Sequence, residues 1–427
     1  MKTLKYYIFA LLLVFTGCRD YLTEIEPGTT LLNDFFTSTA AAKQNVTGCY
    51  VPLMWEYNNT YLSEWFIGDI VSDDALKGGG STSDMADAYD MENWRTTSQN
   101  TLLLDFYRAQ YQGIARCNLA IKYITNMEIG TDSIFTPTMK NNLLGEAHYL
   151  RAYYYFRLVR VFAGVPITTE VIDNSDNWGV PRASTEQVYN LILEDLTKAN
   201  YMLPVRSAMK AEDLGRATKG AAQAMLLKVN LYMASPYWNK QLAQDPATYF
   251  AAAKQWGDSI IASGEYSLCP NYEDNFTLAG ENGQESVFEI QYMEVPWGDY
   301  GEGFGFTAGS FTQILMRSRS SLIGGGWGFD HPTQNLYDEF EPTDIRRDVA
   351  IHNPADSLIE TPSVEIYLGS RYLNNKYGMY RDPADQGGGY GKWSLHATRG
   401  PLNNRQIRYA DVLLMYAEAC LGAGDEA

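Results

Sequence analysis

The sequence predicts a mostly α-helical fold, in which helical hairpins of tetratricopeptide type form a scaffold covered by long irregular loops with a few short strands. Three observations predict it. Apolar residues recur every three to four positions through the middle of the chain, as one face of a helix does. Capping and stop residues punctuate those runs. Between about residues 265 and 401 the periodicity fades, and about half of the chain's 36 glycines fall there. With 427 residues, 45% hydrophobic and 20% charged, the chain can bury a sizeable core, which excludes wholesale disorder.

The elements follow in order. Lys2 and Lys5 precede an apolar run from Tyr6 to Phe15, then Thr16, Gly17 and Cys18. The run is too short to span a bilayer, which takes about 20 residues, and reads as an export signal. A cysteine directly after small residues is the pattern of a bacterial lipoprotein signal, in which Cys18 is acylated and becomes the mature N-terminus; an ordinary signal peptide is the alternative. Residues 1–17 are thus the signal peptide, 18–40 a lipidated tether, and 41–427 a single helical domain. No later stretch is apolar enough to cross a membrane, so the mature protein is expected to be anchored rather than spanning.

Within the domain, Leu143, Leu144, Ala147, Leu150, Tyr154, Leu158 and Val161 mark one helix face, ended by Gly164 and Pro166. Ser184 and Gln187 form a capping box before Val188, Leu191, Ile192 and Leu196. A third helix, about Thr218 to Ala234, carries Ala221, Ala222, Ala224 and Ala234 for close packing and stops at Pro236. A fourth runs from about Ala247 to Ser263, with Ala253, Trp256 and Ile260 inward, and a last from about Gln406 to Leu421, with Ile407, Ala410, Leu414 and Ala417 inward. The scaffold is therefore about 100–263 and 405–427. The loop-rich, ligand-binding part is about 50–95 and 265–400, with Val287 to Tyr292 alternating as a strand.

The formal charge is -18, which argues against nucleic acid, because phosphate binding needs a surplus of Lys and Arg. Four cysteines beyond Cys18 (Cys49, Cys117, Cys269 and Cys420) match no zinc or redox spacing. Buried free thiols are expected, with pairing as the alternative. The four histidines form no metalloprotease motif, and His148, inside a helix, is expected to have a packing or surface role rather than a catalytic one. Residues Gly303 to Ala308 resemble a dinucleotide fingerprint but lack its strand and helix. Asp73, Asp74, Glu339, Glu341 and Asp344 read as solvated acids rather than a glycosidase pair. The calcium-loop pattern is absent, although Asp173, Asp176 and Asn177 could weakly hold an ion, so a structural calcium ion is an alternative that the sequence does not indicate. No catalytic residue, metal or cofactor is expected.

Aromatic residues make up 13% of the chain, including 9 Trp and 31 Tyr, which pair a flat apolar face with a polar edge. Trp55, Trp65, Trp94, Trp178, Trp297, Trp327 and Trp393 adjoin Gly, Asn, Asp or Pro and are expected to be partly exposed. An indole or phenol face matches the C–H face of a sugar ring, and nearby polar groups match its hydroxyls. Trp297 to Tyr300 and Gly324 to Gly328, around Trp327, are the two best candidates, because glycine leaves the rings approachable.

Gly145-Glu146-Ala147-His148-Tyr149-Leu150-Arg151-Ala152-Tyr153-Tyr154-Tyr155-Phe156-Arg157-Leu158-Val159, followed by Gly164-Val165-Pro166, resembles the central signature of the SusD/RagB outer-membrane lipoproteins of Bacteroidetes. Pro181 to Thr185, Gly215 to Ala222, Pro332-Thr333-Gln334 and Ile407 to Ala419 match in order, as does the Cys18-Arg19-Asp20-Tyr21-Leu22 start. The resemblance spans nearly the whole chain. It implies a SusD-like fold and a non-catalytic cell-surface lipoprotein of the outer membrane. Such a protein captures oligosaccharide or polysaccharide for a SusC-type TonB-dependent transporter. Peptide capture is the alternative, and a surface glycosidase or a pure helical scaffold are further ones. It places ligand contacts in the region after Ile70 to Asp74, implying Asp74 and Lys77, in the loop carrying Trp297 and Tyr300, and at Trp327. The family continues beyond its last matched helix, so the C-terminus at Ala427 reads as truncated.

Overall fold

The computed structural model describes residues 35–55, 64–172, 179–293, 309–319, 326–353, 369–377 and 399–425. Cys18, Asp173, Asp176, Asn177, Trp178, Trp297, Tyr300, Trp393 and the 303–308 loop lie outside them. In chain order the elements are α1 (Thr39–Tyr50), α2 (Glu64–Gly68), β1 (Ala75–Gly78), α3 (Ala86–Glu92), α4 (Thr101–Asn126), α5 (Pro137–Phe162), α6 (Thr185–Met202), α7 (Lys219–Ala234), α8 (Pro236–Asn239) and α9 (Pro246–Ala262). They continue with β2 (Ser286–Ile290), α10 (Thr312–Met316), β3 (Phe329–Pro332), α11 (Gln334–Glu339), α12 (Ile345–Ala350), β4 (Ile351–His352), β5 (Leu373–Asn374), β6 (Asn404–Arg408) and α13 (Tyr409–Gly422).

The long helices begin where a side chain satisfies a free backbone N–H. Asn100, Thr136, Ser184, Thr218 and Asp245 each cap the helix that follows, and Pro137 and Pro246 occupy first-turn positions that need no donor. Both halves of the Ser184/Gln187 capping box form. Each long helix packs on the next: α4 on α5, α5 on α6, α6 on α7, α7 on α9, and α9 on α13. This is the expected layered scaffold. Gly113 of α4 sets one crossing, because a Cβ there would stand 2.3 Å from the Tyr154 ring of α5.

Three sequence expectations are corrected. α5 does not bury one face only: all residues from Leu143 to Val159 are buried, because α1, α4, α6 and the β2–β6 pair surround it. The last helix starts at Tyr409, not Gln406, Ile407 lies on β6, opposite Phe288 of β2, and Leu414 and Ala417, expected inward, are exposed while Val412, Met415 and Ala419 face the core. Strand β2 is buried on both faces rather than one, since Glu289 is as inaccessible as Phe288. Its carboxylate accepts from Asn403 at 3.0 Å and faces Arg405 at 3.6 Å.

The loop-rich part carries its own smaller core of Trp65, Phe66, Ile70, Met91, Phe311, Leu315 and Phe329, separate from the scaffold core. Trp55 and Trp65, expected to be partly exposed, are buried. Trp65 supplies core to the loop-rich part, and Trp55 packs against Phe106 and Ala109 of α4. Cys49, Cys117 and Cys420 are buried, Cys269 is half-buried, and all four are free. Among the described residues no helix is long and apolar enough to cross a membrane.

Candidate functional site

The polar residues of the central signature face inward. Arg151 donates through Nε and Nη2 to Asp195 of α6 at 2.7 and 2.8 Å, and His148 Nδ1 lies 2.7 Å from the same carboxylate. Asn118 of α4 joins by accepting from Arg151 at 2.9 Å, so three helices share one ion network. Burial pushes the Asp195 pKa up, but the His148 and Arg151 hydrogen bonds and the Arg151 charge overcome this and hold it below the usual carboxylate range. Glu146 accepts from Tyr50 at 2.8 Å and from Arg216 at 2.9 Å, tying α5 to α1 and to the turn before α7. Tyr153 donates to Gln406 on β6. These motifs find one another in the folded core, so they hold the scaffold together and are not available to a ligand.

The accessible candidates lie on the other side, on the β1–β3 ladder. Its antiparallel register pairs Ala75 with Pro332, Leu76 with His331 and Gly78 with Phe329. That ladder joins the turn after Ile70 to the segment containing Trp327, two regions more than 250 residues apart in sequence. The crossing is tight: Gly78 has φ +70°, and a Cβ there would meet the Gly328 carbonyl at 2.3 Å. At the far end, Thr333 N–H donates to the Asp74 carbonyl at 2.8 Å.

Asp74 is exposed, with Asp73 beside it, and the side chains of both are without a hydrogen-bond partner among the described residues. Trp327 is half-buried, with its ring edge-on to Phe311 at 5.2 Å and its carbonyl accepting from Arg319. Lys77 does not belong to the surface. It is fully buried beneath β3, its ammonium donating to the Asp84 and Ser81 carbonyls at 2.5 and 3.2 Å and lying 5.3 Å from the Phe329 ring centre. Burial pushes its pKa down, while Asp84 and Glu92 push it up. The expectation that Lys77 meets a ligand is therefore corrected: strand alternation turns it to the core, where it closes the 78–84 loop. His331 is likewise buried, with Nδ1 2.9 Å from the Ser370 carbonyl, and burial pushes its pKa down.

Trp94 stands out on this face. It is 73% exposed, and its indole N–H donates to the Val71 carbonyl at 3.1 Å, which lays the ring against the 69–74 turn. The residue follows the end of α3 with φ +55°, the left-handed cap position where glycine or asparagine is the usual occupant. A bulky side chain there is a backbone outlier. Arg95, paired with Asp90 at 3.0 Å and lying over the Tyr89 ring, flanks it. The result is an exposed aromatic ring tied to the turn that also carries Asp73 and Asp74, with Arg95 next to it in sequence. Sequence composition names Trp94 as one exposed ring among seven. The positive φ that reverses the chain and presents the ring is visible only in the fold.

Two family models match the chain. One, described as starch-binding associating with outer membrane, covers residues 20–231, and the other, the SusD family, covers 284–427. A SusD-like protein of Bacteroides ovatus is 26% identical over 431 residues, which span 99% of this chain and 72% of that protein. Among solved structures, the surface glycan-binding protein A of Bacteroides fluxus superposes with a TM-score of 0.74 at 24% identity, covering 90% of this chain and 76% of that one. That of Bacteroides thetaiotaomicron, in complex with laminarihexaose, gives 0.72 at 23% identity, covering 91% and 80%.

Proposed function

The chain belongs to the SusD family, and from that premise we propose that it is a non-catalytic glycan-binding protein of the outer-membrane cell surface, which captures oligosaccharide and passes it to a SusC-type transporter. The observation that carries the reading is the ledge of Trp94 with Asp73 and Asp74. A strained backbone holds an aromatic face in water, where it contributes nothing to a core. An indole of this kind stacks on the C–H face of a pyranose, and the carboxylates accept from its hydroxyls. The laminarihexaose held by the Bacteroides thetaiotaomicron relative supports an extended glucan as the first ligand to try. Trp327, next to β3 of the ladder, is the second residue proposed to meet the ligand, and Trp297 and Tyr300 are kept as candidates from the family resemblance alone.

Isothermal titration against laminarin, starch, xylan and mannan tests the reading. Trp94→Ala is expected to weaken the bound glycan about tenfold, or 1.4 kcal/mol, with a loss of stability no larger than the about 1 kcal/mol of its indole hydrogen bond. Full affinity in that variant and in Trp327→Ala would remove the ledge as the site. Release of sugar from any of these polysaccharides on prolonged incubation would instead make the protein a glycosidase.

Attachment to the membrane through acylated Cys18 belongs to the same proposal. Cys18→Ala is expected to move the protein from the membrane fraction to the soluble fraction, and retention of the variant in membranes would sink the lipid anchor.

A further inference from the structure

The turn between α4 and α5, residues 127–135, carries two exposed isoleucines that no part of the glycan-binding reading uses. The Gly130 N–H donates to the Phe135 carbonyl at 3.0 Å, with Gly130 at φ +83°, so the chain doubles back on itself. Phe135 points into the scaffold core and is 1% exposed, whereas Ile129 and Ile134 are 50% and 59% exposed. The Ile134 N–H is held by Asp132 Oδ1 at 3.1 Å, which fixes the outward arm of the turn.

The same turn receives the start of the folded domain. Thr39, the first residue of α1, donates its N–H and its hydroxyl to the Asp132 carboxylate, both at 2.6 Å. The Phe36 ring stacks on Tyr123 in the last turns of α4 at 4.7 Å. The segment proposed to begin at acylated Cys18 therefore joins the body beside Ile129 and Ile134. Residues 19–34 reach at most about 55 Å, a leash that limits height above the bilayer without setting orientation. Two lysines flank the turn. Lys122 is exposed over the Tyr123 ring, and Lys140 donates to the Thr125 and Met127 carbonyls at 2.7 and 2.8 Å. The exposed pair Leu414 and Leu421 lies on α13, at the other end of the helix series, away from the tether.

We propose that the 127–135 turn is a membrane-contact surface, in which Ile129 and Ile134 enter the outer leaflet and Lys122 and Lys140 lie near the lipid phosphates. The tether's attachment rests on the lipid-anchor reading given above, whereas the surface itself rests on the exposed isoleucines and the entry point of the chain. Hydrocarbon is the partner that suits them, because branched aliphatic side chains have no flat face for a sugar ring, and cations beside an apolar pair match an anionic headgroup layer. The consequence for the molecule is orientation. Helix α4 has 26 residues and is about 39 Å long. Its last turn leads into the 127–135 turn, and its first residue, Thr101, donates its N–H to Asp87 of α3 at 2.7 Å. Contact at one end of α4 thus holds the other end, where Trp94 follows α3, away from the bilayer.

Amide hydrogen exchange on a vesicle-bound chain tests the proposal. The chain from Cys18 onward, carrying Cys269→Ser so that no second accessible thiol reacts, is coupled through Cys18 to a maleimide phospholipid in vesicles of phosphatidylethanolamine and phosphatidylglycerol. Residues 127–135 are expected to exchange about fivefold or more slowly on the vesicle than in the uncoupled chain, while the exposed 240–245 turn and the residues around Trp94 exchange equally in both. Ile129→Glu combined with Ile134→Glu should abolish the difference with α5 still protected, and Ile129→Ser with Ile134→Ser replaces that variant should it not fold. Equal exchange of 127–135 in the coupled and uncoupled chains, protection that survives loss of both isoleucines, or protection centred on Trp94 overturns the surface. Chemical coupling makes this result independent of acylation, so the Cys18→Ala fractionation and the exchange experiment fail separately.

Discussion

At the scale of single residues, the charged side chains divide by what they touch. Arg151 and Asp195 are buried and bonded to each other, so neutralising one strands the other in a medium that cannot solvate it. Asp195→Ala should lower unfolding free energy by about 3 to 5 kcal/mol in a denaturant titration, and a loss under 1 kcal/mol would mean that water reaches the network. Trp94 carries the opposite signature. Trp94→Gly removes the left-handed strain of about 1 to 2 kcal/mol together with one indole hydrogen bond of about 1 kcal/mol. Stability should therefore stay nearly level in thermal melts while glycan affinity falls. A residue kept for packing would lose stability first.

The elements explain why the signature strings look as they do. α5 is buried around its whole circumference, which is why its tyrosines are consecutive instead of spaced along one stripe, and why its glycines and alanines sit where neighbours cross. Gly113 is the test case on α4. The Tyr154 ring that would meet a new Cβ is fully buried, and its hydroxyl donates to the Cys49 carbonyl at 2.7 Å, so the ring has nowhere to go. Gly113→Ala should destabilise the protein by about 1 to 3 kcal/mol despite alanine's better helix propensity, and a stabilised variant in the same denaturant titration would contradict the α4–α5 contact. The short strand β6 makes the complementary point. Its residues 404–408 have a helical-looking apolar position at Ile407, but the pairing partner β2 claims them, because the unpaired N–H and C=O groups of β2 would otherwise be buried beside α5.

For the whole molecule, the consequence is a pH dependence. Burial raises the Asp69 pKa from 3.8 to about 6, with Lys376 opposing the rise and Asp74 adding to it. Asp69 is open to water by area, yet protein surrounds it on most sides because it lines a cavity between the scaffold and the loop-rich part. A pKa raised on folding means that the folded state binds the extra proton. The stabilisation from this group is complete below pH 4 and is lost as pH rises through 6. Asp195, depressed on folding, acts in the opposite direction and loses its contribution in acid. The difference in melting temperature between Asp69→Asn and wild type should therefore grow from pH 4.5 to pH 7.5 in favour of the variant. A constant difference would place Asp69 in bulk water.

Helix periodicity, the caps at Ser184 and Thr218, the acidic charge and the ordered signature strings are local or compositional, and the sequence by itself determined from them the helical scaffold, the family, and the two loop regions that form one ladder. It also marked Trp94 and Trp327 as rings in polar turns. Only the tertiary structure decided which of the candidates face water. Lys77 and Asp74 are three residues apart and read alike as polar, but strand alternation and the approach of β3 bury one and leave the other exposed. Trp65 and Trp94 adjoin the same kinds of turn, yet one plugs a small core and the other is held outward by a left-handed cap. The cavity was beyond any sequence reading, since its lining comes from Trp65, Asp69, Phe276, Tyr292, Lys376 and Tyr377, residues that no spacing relates. Burial is set by what packs against a side chain, and that partner is chosen by the fold as a whole.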